Sequence, residues 1–408
     1  MKALSLSIAL LALYSNYLCA QDKQDSLEEY ISGNKKEFYK LESDKVDASS
    51  NVLRDSWISP VMLNYSYGVS EAYDTESITK KTSITIDQPI FQSGGIYFGI
   101  KYAEATRLYS QYSVDVAKRK IIKDALSLLI QIKQSEMRIQ KQKLLIENAE
   151  INLAQKKESY LNGQLDSGFL NSAIIDKNVV IQALYDVETN KERLISKFRV
   201  ISDLDHGSAI LPHLEIIQKD EFMANNLSFK QSQSLSEKNR YFKSTTISKY
   251  LPKVSIYGGY NWDRTENFAF QAGSVSGSRA TDYVSYGLKA SIPLNISTFD
   301  DIQSAKVEYL ESKIEELDKK KEINALFEQV MQNLESLERK RILSVENTEL
   351  YGELLAETQE LYEAGYKTKY DVELLRNSLE VQKNDIDIYE LDRQLELLTL
   401  YEMYKNDI

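Results

Sequence analysis

The segment Val284-Ser285-Tyr286-Gly287-Leu288-Lys289-Ala290-Ser291-Ile292-Pro293-Leu294 alternates between apolar and small or polar side chains. Val284, Tyr286, Leu288, Ala290, Ile292 and Leu294 share one face; Ser285, Gly287, Lys289 and Ser291 share the other. A period of two marks a strand, because successive side chains leave opposite sides of a pleated backbone. The residues from Val61 read the same way, with Val61, Leu63, Tyr65, Tyr67 and Val69 opposed to Met62, Asn64, Ser66, Gly68 and Ser70. Four such segments occur, at about 60–73, 77–91, 252–264 and 282–295, and they pair as two hairpins. A small soluble sheet with one wet face accounts for alternation alone. An apolar face rich in Tyr, flanked by Trp57 and Trp262, describes the wall of a transmembrane barrel.

Between the strands the period changes. Residues 96–162 contain no proline and one glycine, Gly99, so a single helix there extends for about 100 Å. Ala125, Ile132, Ile139, Ile146, Leu153 and Tyr160 recur every seven residues, as do Leu374, Val381, Ile388 and Leu395. Sustained sevens specify coiled-coil packing against neighbouring helices, and these positions are core rather than ligand sites. Residues 301–362 form a matching long helix, with shorter return helices at 170–200 and 371–405.

The pattern occurs twice. Gln88-Pro89-Ile90-Phe91 leads into a helical run, and Ile292-Pro293-Leu294 does so 204 residues later. Tyr160-Leu161-Asn162-Gly163 is echoed by Tyr362-Glu363-Ala364-Gly365 at an offset of 202. Ser59-Pro60-Val61 and Leu251-Pro252-Lys253 each open a strand, at an offset of 192, and the Gly/Ser-rich stretch from Ala272 to Ala280 lengthens one loop. Three ordered markers at nearly constant spacing mean a duplicated unit of about two hundred residues. The expected organisation is a first repeat at 21–204 and a second at 205–408, after a signal peptide at 1–20.

That leader has Lys2, an apolar run from Ala3 to Tyr14, and Ala20 at a plausible cleavage site. Cleavage there removes Cys19, the one cysteine. A lipidated Cys19 is the alternative, though Leu18 stands where a small residue belongs. After residue 20 no stretch approaches the ~20 apolar residues of a membrane helix.

Composition bounds the function. The 408 residues carry 50 basic and 61 acidic side chains, a net charge of −11 that argues against nucleic acid as a partner. Two histidines and one cysteine leave little for a metal centre or a thiol nucleophile. His206 and His213 lie around Pro212 without further ligands at metal spacing and read as structural or surface residues. Gly273, Gly277 and the serines between them are not followed by the Lys-Ser/Thr pair of a phosphate loop and read as an extracellular hairpin loop. Twenty-seven tyrosines, with only 15 glycines and 5 prolines, fit long elements and aromatic-faced strands. Two hairpins cannot close a barrel, whose smallest form has about eight strands, and an open sheet edge is not tolerated in lipid. Three chains give a closed wall of twelve strands, continued by the helices as a hollow tunnel.

On these residues the chain resembles the TolC family of outer-membrane efflux proteins. The carrying residues are Gln88-Pro89-Ile90-Phe91 before Gly94-Gly95, Ala103-Glu104-Ala105, Leu251-Pro252-Lys253, and Leu361-Tyr362 through Gly365 to Tyr370-Asp371-Val372. The resemblance spans the whole chain after the leader. It implies a mixed α/β membrane fold: a homotrimer with a 12-stranded β-barrel in the outer membrane of a Gram-negative cell and an α-helical coiled-coil barrel in the periplasm. It implies passive exit of substrate delivered by a periplasmic adaptor and an inner-membrane transporter, of RND or ABC type, in efflux or type I secretion. Outer-membrane lipid is the further partner. No reaction, no cofactor and no metal are implied.

The resemblance also implies a periplasmic gate. Tyr362 matches the family's gating tyrosine, Lys367 its basic link residue and Asp371 the first of two acidic constriction positions. The second departs, being Leu374 beside Glu373. In the first repeat Phe169 stands where an acidic link partner belongs, with Asp166 and Asp176 out of register. Gly163 and Gly365 suit tight tips between helices, and the family docks its adaptor at such tips. The competing reading is a secreted structural coiled-coil protein, adhesin- or stalk-like and without a pore. It gives no reason for apolar-faced hairpins at matching places in both halves.

Overall fold

The computed structural model describes residues 25–72, 75–268 and 277–405. The expected signal peptide and most of the Gly/Ser-rich loop lie outside the described residues. The elements run α1 (Asp25–Glu28), α2 (Gly33–Arg54), β1 (Met62–Ala72), β2 (Thr75–Phe91), α3 (Gly95–Leu161) and α4 (Ser167–Ile201). They continue α5 (Lys219–Ala224), α6 (Leu227–Lys249), β3 (Lys253–Phe268), β4 (Gly277–Ser291), α7 (Thr298–Glu363) and α8 (Lys369–Met403). The two long helices have 67 and 66 residues and both return helices have 35. β4 begins and ends earlier than the alternation suggests. Pro293, which has no amide hydrogen for the ladder, lies beyond its end, while the Phe268–Gly277 pairing carries the hairpin further towards its turn. α2 and α6 were not anticipated: α6, rich in Ser and Lys, has no apolar stripe to betray it.

The chain divides into two compact units that do not follow the sequence halves. One comprises 1–41, 114–229 and 320–408; the other comprises 42–113 and 230–319. The first is helical. Its core is built where α3 passes α4 and α8, with Ala125, Leu126, Leu129, Ile132, Phe198, Leu397 and Leu400 fully enclosed. Phe222 of α5 and Phe327 of α7 pack on the same cluster, their rings 5.6 Å apart. Further along the seven-residue stripe of α3, Ile139, Ile146 and Leu153 are half-buried and Tyr160 is exposed. There the contact between helices turns polar. Lys141 of α3 holds Asp385 of α8 at 2.6 Å, and Gln134 donates to Asp392 at 2.7 Å. Lys177 of α4 pairs with Glu150 at 2.9 Å, and Asn333 of α7 donates to Glu396 of α8 at 3.1 Å. The lateral order in this unit is therefore α4, α3, α8, α7.

The connector 202–218 is tied to this core. Buried Gln394 accepts the Leu214 amide at 2.8 Å, and Tyr30 donates to the Ile210 carbonyl at 2.6 Å. Tyr404 donates to Glu221, and burial followed by that bond pushes its phenol up to about 12. His206 sits 3.6 Å from Asp205, and His213 is exposed. Among the described residues no group of three or more His, Cys, Asp or Glu could hold a metal.

The second unit holds the sheet and the helix ends next to it. The four strands are antiparallel in the order β1-β2-β3-β4, so the two hairpins share one sheet through β2 and β3. Gln88 explains the marker around it: its amide donates to the Trp57 carbonyl at 3.2 Å and accepts the Ser59 amide at 3.0 Å, fixing where the chain enters β1. The register shifts between Pro89 and Phe91, and the chain then turns into α3 through Ser93 and Gly94, both at positive φ. Arg107 of α3 pairs with Asp47 of α2 at 2.8 Å.

Phe198→Ala should lower stability by about 3–5 kcal/mol, the cost of emptying a fully enclosed aromatic site. Val200→Ala, only two residues on but 74% exposed, should leave the thermal midpoint of the helical signal unchanged. Equal midpoints for the two variants would place the core elsewhere.

Candidate functional site

Two features of the chain stand out: one face of the sheet, and the two helix tips. In the sheet, antiparallel register puts cross-strand partners on the same side. Leu63, Ile84, Tyr260 and Val284 form one continuous row across all four strands. The neighbouring row runs Ile86, Gly258 and Tyr286, and the next Gln88, Ile256 and Leu288. The opposite side reads Asn64, Ser83, Asn261 and Tyr283, then Met62, Thr85, Gly259 and Ser285. The apolar residues from two separate halves of the sequence thus share one surface. That surface is bare: Leu63 is 72% exposed, Tyr286 82% and Leu288 72%.

Towards the hairpin turns the apolar side ends at Trp262, and charge begins. Lys80 lies 3.3 Å from Glu266, and Arg264 lies 2.9 Å from the same carboxylate. On the polar side Lys289 reaches Asp87 at 3.4 Å. The Tyr257 ring lies flat over Gly287, so a Cβ there would meet its hydroxyl at 2.7 Å. Glycine at 287 is what lets that tyrosine lie down on the polar side. β1 and β4 are the outer strands of an open sheet. Among the described residues no helix is long and apolar enough to cross a membrane, which says nothing against a barrel.

The two tips, 202 residues apart, have one geometry. The Gly163 amide donates to Tyr160 at 3.0 Å and Gln164 to Ser159 at 2.9 Å; Gly365 donates to Tyr362 at 3.0 Å and Tyr366 to Leu361 at 2.8 Å. This paired closure ends a helix on a left-handed residue. The glycines supply it, with φ of 72° and 79°, and a Cβ at either would meet nothing within 4 Å. The return helices then start on Asp166, which accepts the Gly168 amide at 2.7 Å, and on Thr368.

The residues expected to form a gate lie at the second tip. Tyr362 is 40% exposed on the last turn of α7, Lys367 is exposed in the loop, and Leu374 is half-buried. Asp371 has a bonding role that the sequence reading missed. Its carboxylate accepts the Thr368 amide at 2.9 Å and hydroxyl at 2.8 Å, while the Thr368 hydroxyl accepts the Asp371 amide. Thr368-x-x-Asp371 is a capping box, legible as a Thr followed three residues later by an acid. The Thr368 amide, then its hydroxyl, and the charge on Lys367 hold the Asp371 carboxyl below the usual aspartate range, against a desolvation that raises it. At the first tip the position expected to be acidic is Phe169, 53% exposed with the Lys156 ammonium 5.6 Å from its ring centre. Asp176 is exposed on α4, and Glu373 pairs with Lys369 at 3.1 Å.

No family model matches the sequence, and no curated sequence matches it. Solved structures do. The Campylobacter jejuni CmeC outer membrane channel is 11% identical, with 93% of this chain and 85% of that chain covered at a TM-score of 0.71. The outer membrane protein VceC of Vibrio cholerae is 12% identical, with 93% and 95% covered at 0.70. The open state of the Neisseria gonorrhoeae MtrE outer membrane channel is 12% identical, with 92% and 86% covered at 0.61. At such identities the likeness shows the fold, and the chain has the fold of the TolC-type outer-membrane channels.

Because nothing crowds the tip glycines, the cost of replacing them is conformational. Gly365→Ala should destabilise the tip by about 1 kcal/mol, and Gly365→Asn by less, since Asn tolerates the left-handed region. Thr368→Ala removes the cap at about 1 kcal/mol and should speed amide exchange over 366–372. The share due to Asp371 is present at neutral pH. A carboxyl whose folded pKa is depressed below 3.8 loses that share only as the pH falls through the depressed value. Exchange in Thr368→Ala that matches wild type would remove the cap from the account.

Proposed function

We propose that this chain is the outer-membrane exit duct of a tripartite efflux or type I secretion system. The observation that carries the reading is the sheet: an in-register apolar side spanning all four strands, bare, with an unpaired strand at each edge. Hydrocarbon is the solvent such a side fits, and hydrocarbon forbids the free edges, because an unpaired backbone group there costs several kcal/mol. Pairing β1 of one copy with β4 of the next removes every edge. With four strands per chain and about eight needed to enclose a bore, three copies give a twelve-stranded barrel. Val61 to Val69 measures about 27 Å along the strand, and about 20 Å across the bilayer at a 40° tilt. Asn64, Ser66, Ser83, Asn261 and Ser285 then line the water-filled side.

In this reading the helices continue the duct through the periplasm, and an adaptor docks on the tips at Gly163 and Gly365. An inner-membrane transporter supplies the energy, and the duct performs no chemistry and needs no cofactor. The second tip is the narrow end. Three copies of Asp371 form a ring of negative charge, which in a confined passage acts more strongly than an isolated surface carboxylate. The capping bonds keep that carboxylate ionised and stationary. Lys367 holds the tip inward, and Leu374, where a second acid is expected, makes the ring less attractive to divalent cations.

Purified protein in a planar bilayer should conduct, with a low resting conductance and a preference for cations, and should weigh as a trimer in mild detergent. Asp371→Asn should move the reversal potential in asymmetric salt towards zero, and Lys367→Ala should raise the open probability. A stable, non-conducting monomer sinks the duct. Unchanged reversal potentials in Asp371→Asn, with conduction intact, remove this residue from the constriction.

A further inference from the structure

The four strands carry six basic and six acidic side chains, and the register sorts them by side. The polar side, with Asn64, Ser83 and Asn261, holds Lys81, Lys253, Arg279 and Lys289 against Asp87 and Asp263. The apolar side holds Lys80 and Arg264 against Glu71, Glu76, Glu266 and Asp282, all towards the hairpin turns. A neutral sheet is thereby split into a side of net +2 and a side of net −2. The positive side is the exception in a chain whose net charge is −11.

All four bases of the polar side are exposed. Two have an acid beside them: Lys289 reaches Asp87 at 3.4 Å, and Lys81 stands opposite Asp263 on the next strand. Both are solvent-exposed arrangements and hold only weakly. The other two have no acid across the ladder, since Lys253 stands opposite Ser291 and Arg279 opposite Thr265. Residues 73–74 and 269–276 between the paired strands add one charge in sequence, Asp74, which does not cancel the excess.

We propose that this side makes the barrel an anion-favouring passage, so that the solute it carries bears negative charge, as a carboxylate, sulfate or phosphate. The inference rests on the ring of three copies proposed above and adds the class of solute. Three chains bring a net +6 to the wall. Twelve strands about 4.8 Å apart and tilted about 40° close at a backbone radius of about 12 Å. Long Lys and Arg side chains carry their charges inward from that wall, to within about one Debye length of the axis, ~8 Å at 0.15 M salt. The fields of the three copies therefore overlap across the bore, and the low-dielectric wall focuses them. Their sign is opposite to that of the Asp371 ring proposed for the tip. The two act against one another: the tip sets a cation preference and the barrel reduces it.

Removing charge from one side at a time tests the assignment, with the full chain in planar bilayers. Lys81→Gln with Arg279→Gln should raise the cation-over-anion permeability ratio about twofold at about 0.1 M salt. The rise should vanish at about 1 M salt, where the Debye length is about 3 Å. Lys80→Gln with Arg264→Gln removes the same charge from the other side and should leave the ratio as in the unsubstituted protein. Lys253→Gln, at the start of β3, should raise the ratio by itself and decides the matter where the double variant does not assemble. Native mass in mild detergent reports assembly independently. Trimeric, conducting channels in which no polar-side variant moves the ratio, or in which both sides move it alike, overturn the anion-favouring bore and leave the duct standing. An unsubstituted protein that is monomeric and does not conduct overturns the duct, and this inference with it.

Discussion

The apolar side of the sheet is the constraint on which the rest depends. Leu63, Ile84, Tyr260 and Val284 make one row across four strands, and Leu63, Ile84 and Val284 are exposed. A sheet in water hides such a side against a second layer. Here short turns join the strands directly to helices. β2 leads through Ser93 and Gly94 into α3, and α6 leads through Leu251 and Pro252 into β3, with the Ser93 hydroxyl on the Pro252 carbonyl at 2.6 Å.

The same division governs the helices. Where α3 meets α4 and α8 around Leu126, Leu129 and Phe198, packing is dense and apolar. Towards the tips the stripe thins to Ile139, Ile146 and Leu153, and the contacts become Lys141 with Asp385 and Lys177 with Glu150. Exposed or partly exposed ion pairs contribute little, about 0–1 kcal/mol each. Within the helical unit the contacts towards the tips are therefore the weaker ones. What keeps their shape is local: two glycines in the left-handed region, and the Asp166 and Thr368 caps.

Asp371 shows how one side chain serves two demands. Its bonds to Thr368 are those of an ordinary helix start, yet the same bonds stabilise the anion and stop the side chain from swinging. A capping carboxylate is a charge whose place is set by the backbone. At the first tip Asp166 caps alone and Phe169 lies under Lys156, so the two tips share a backbone and differ in chemistry.

Much of this was legible in the order of residues. The period of two from Val61 and from Val284, the sevens from Ala125, and the glycines 202 residues apart are local signals, since strand, coiled coil and left-handed turn are set by neighbours a few residues away. α6 was not legible, because its Ser- and Lys-rich sequence carries no broad apolar stripe, and the helical spacing of Phe38, Leu41 and Val52 in α2 was passed over; nor was the full length of β4 legible, whose first residues are held by pairing with β3. The tertiary structure decided what depends on distant residues meeting. Register brought Ile84 and Tyr260 into one row, and the interleaving of three and two chain segments produced the compact units. Burial separated Ala125 and Ile132, which are core, from Val307 and Ile314, which have the same spacing and are exposed. Spacing shows that a side chain seeks a partner; only the folded chain shows whether its own sequence supplies one.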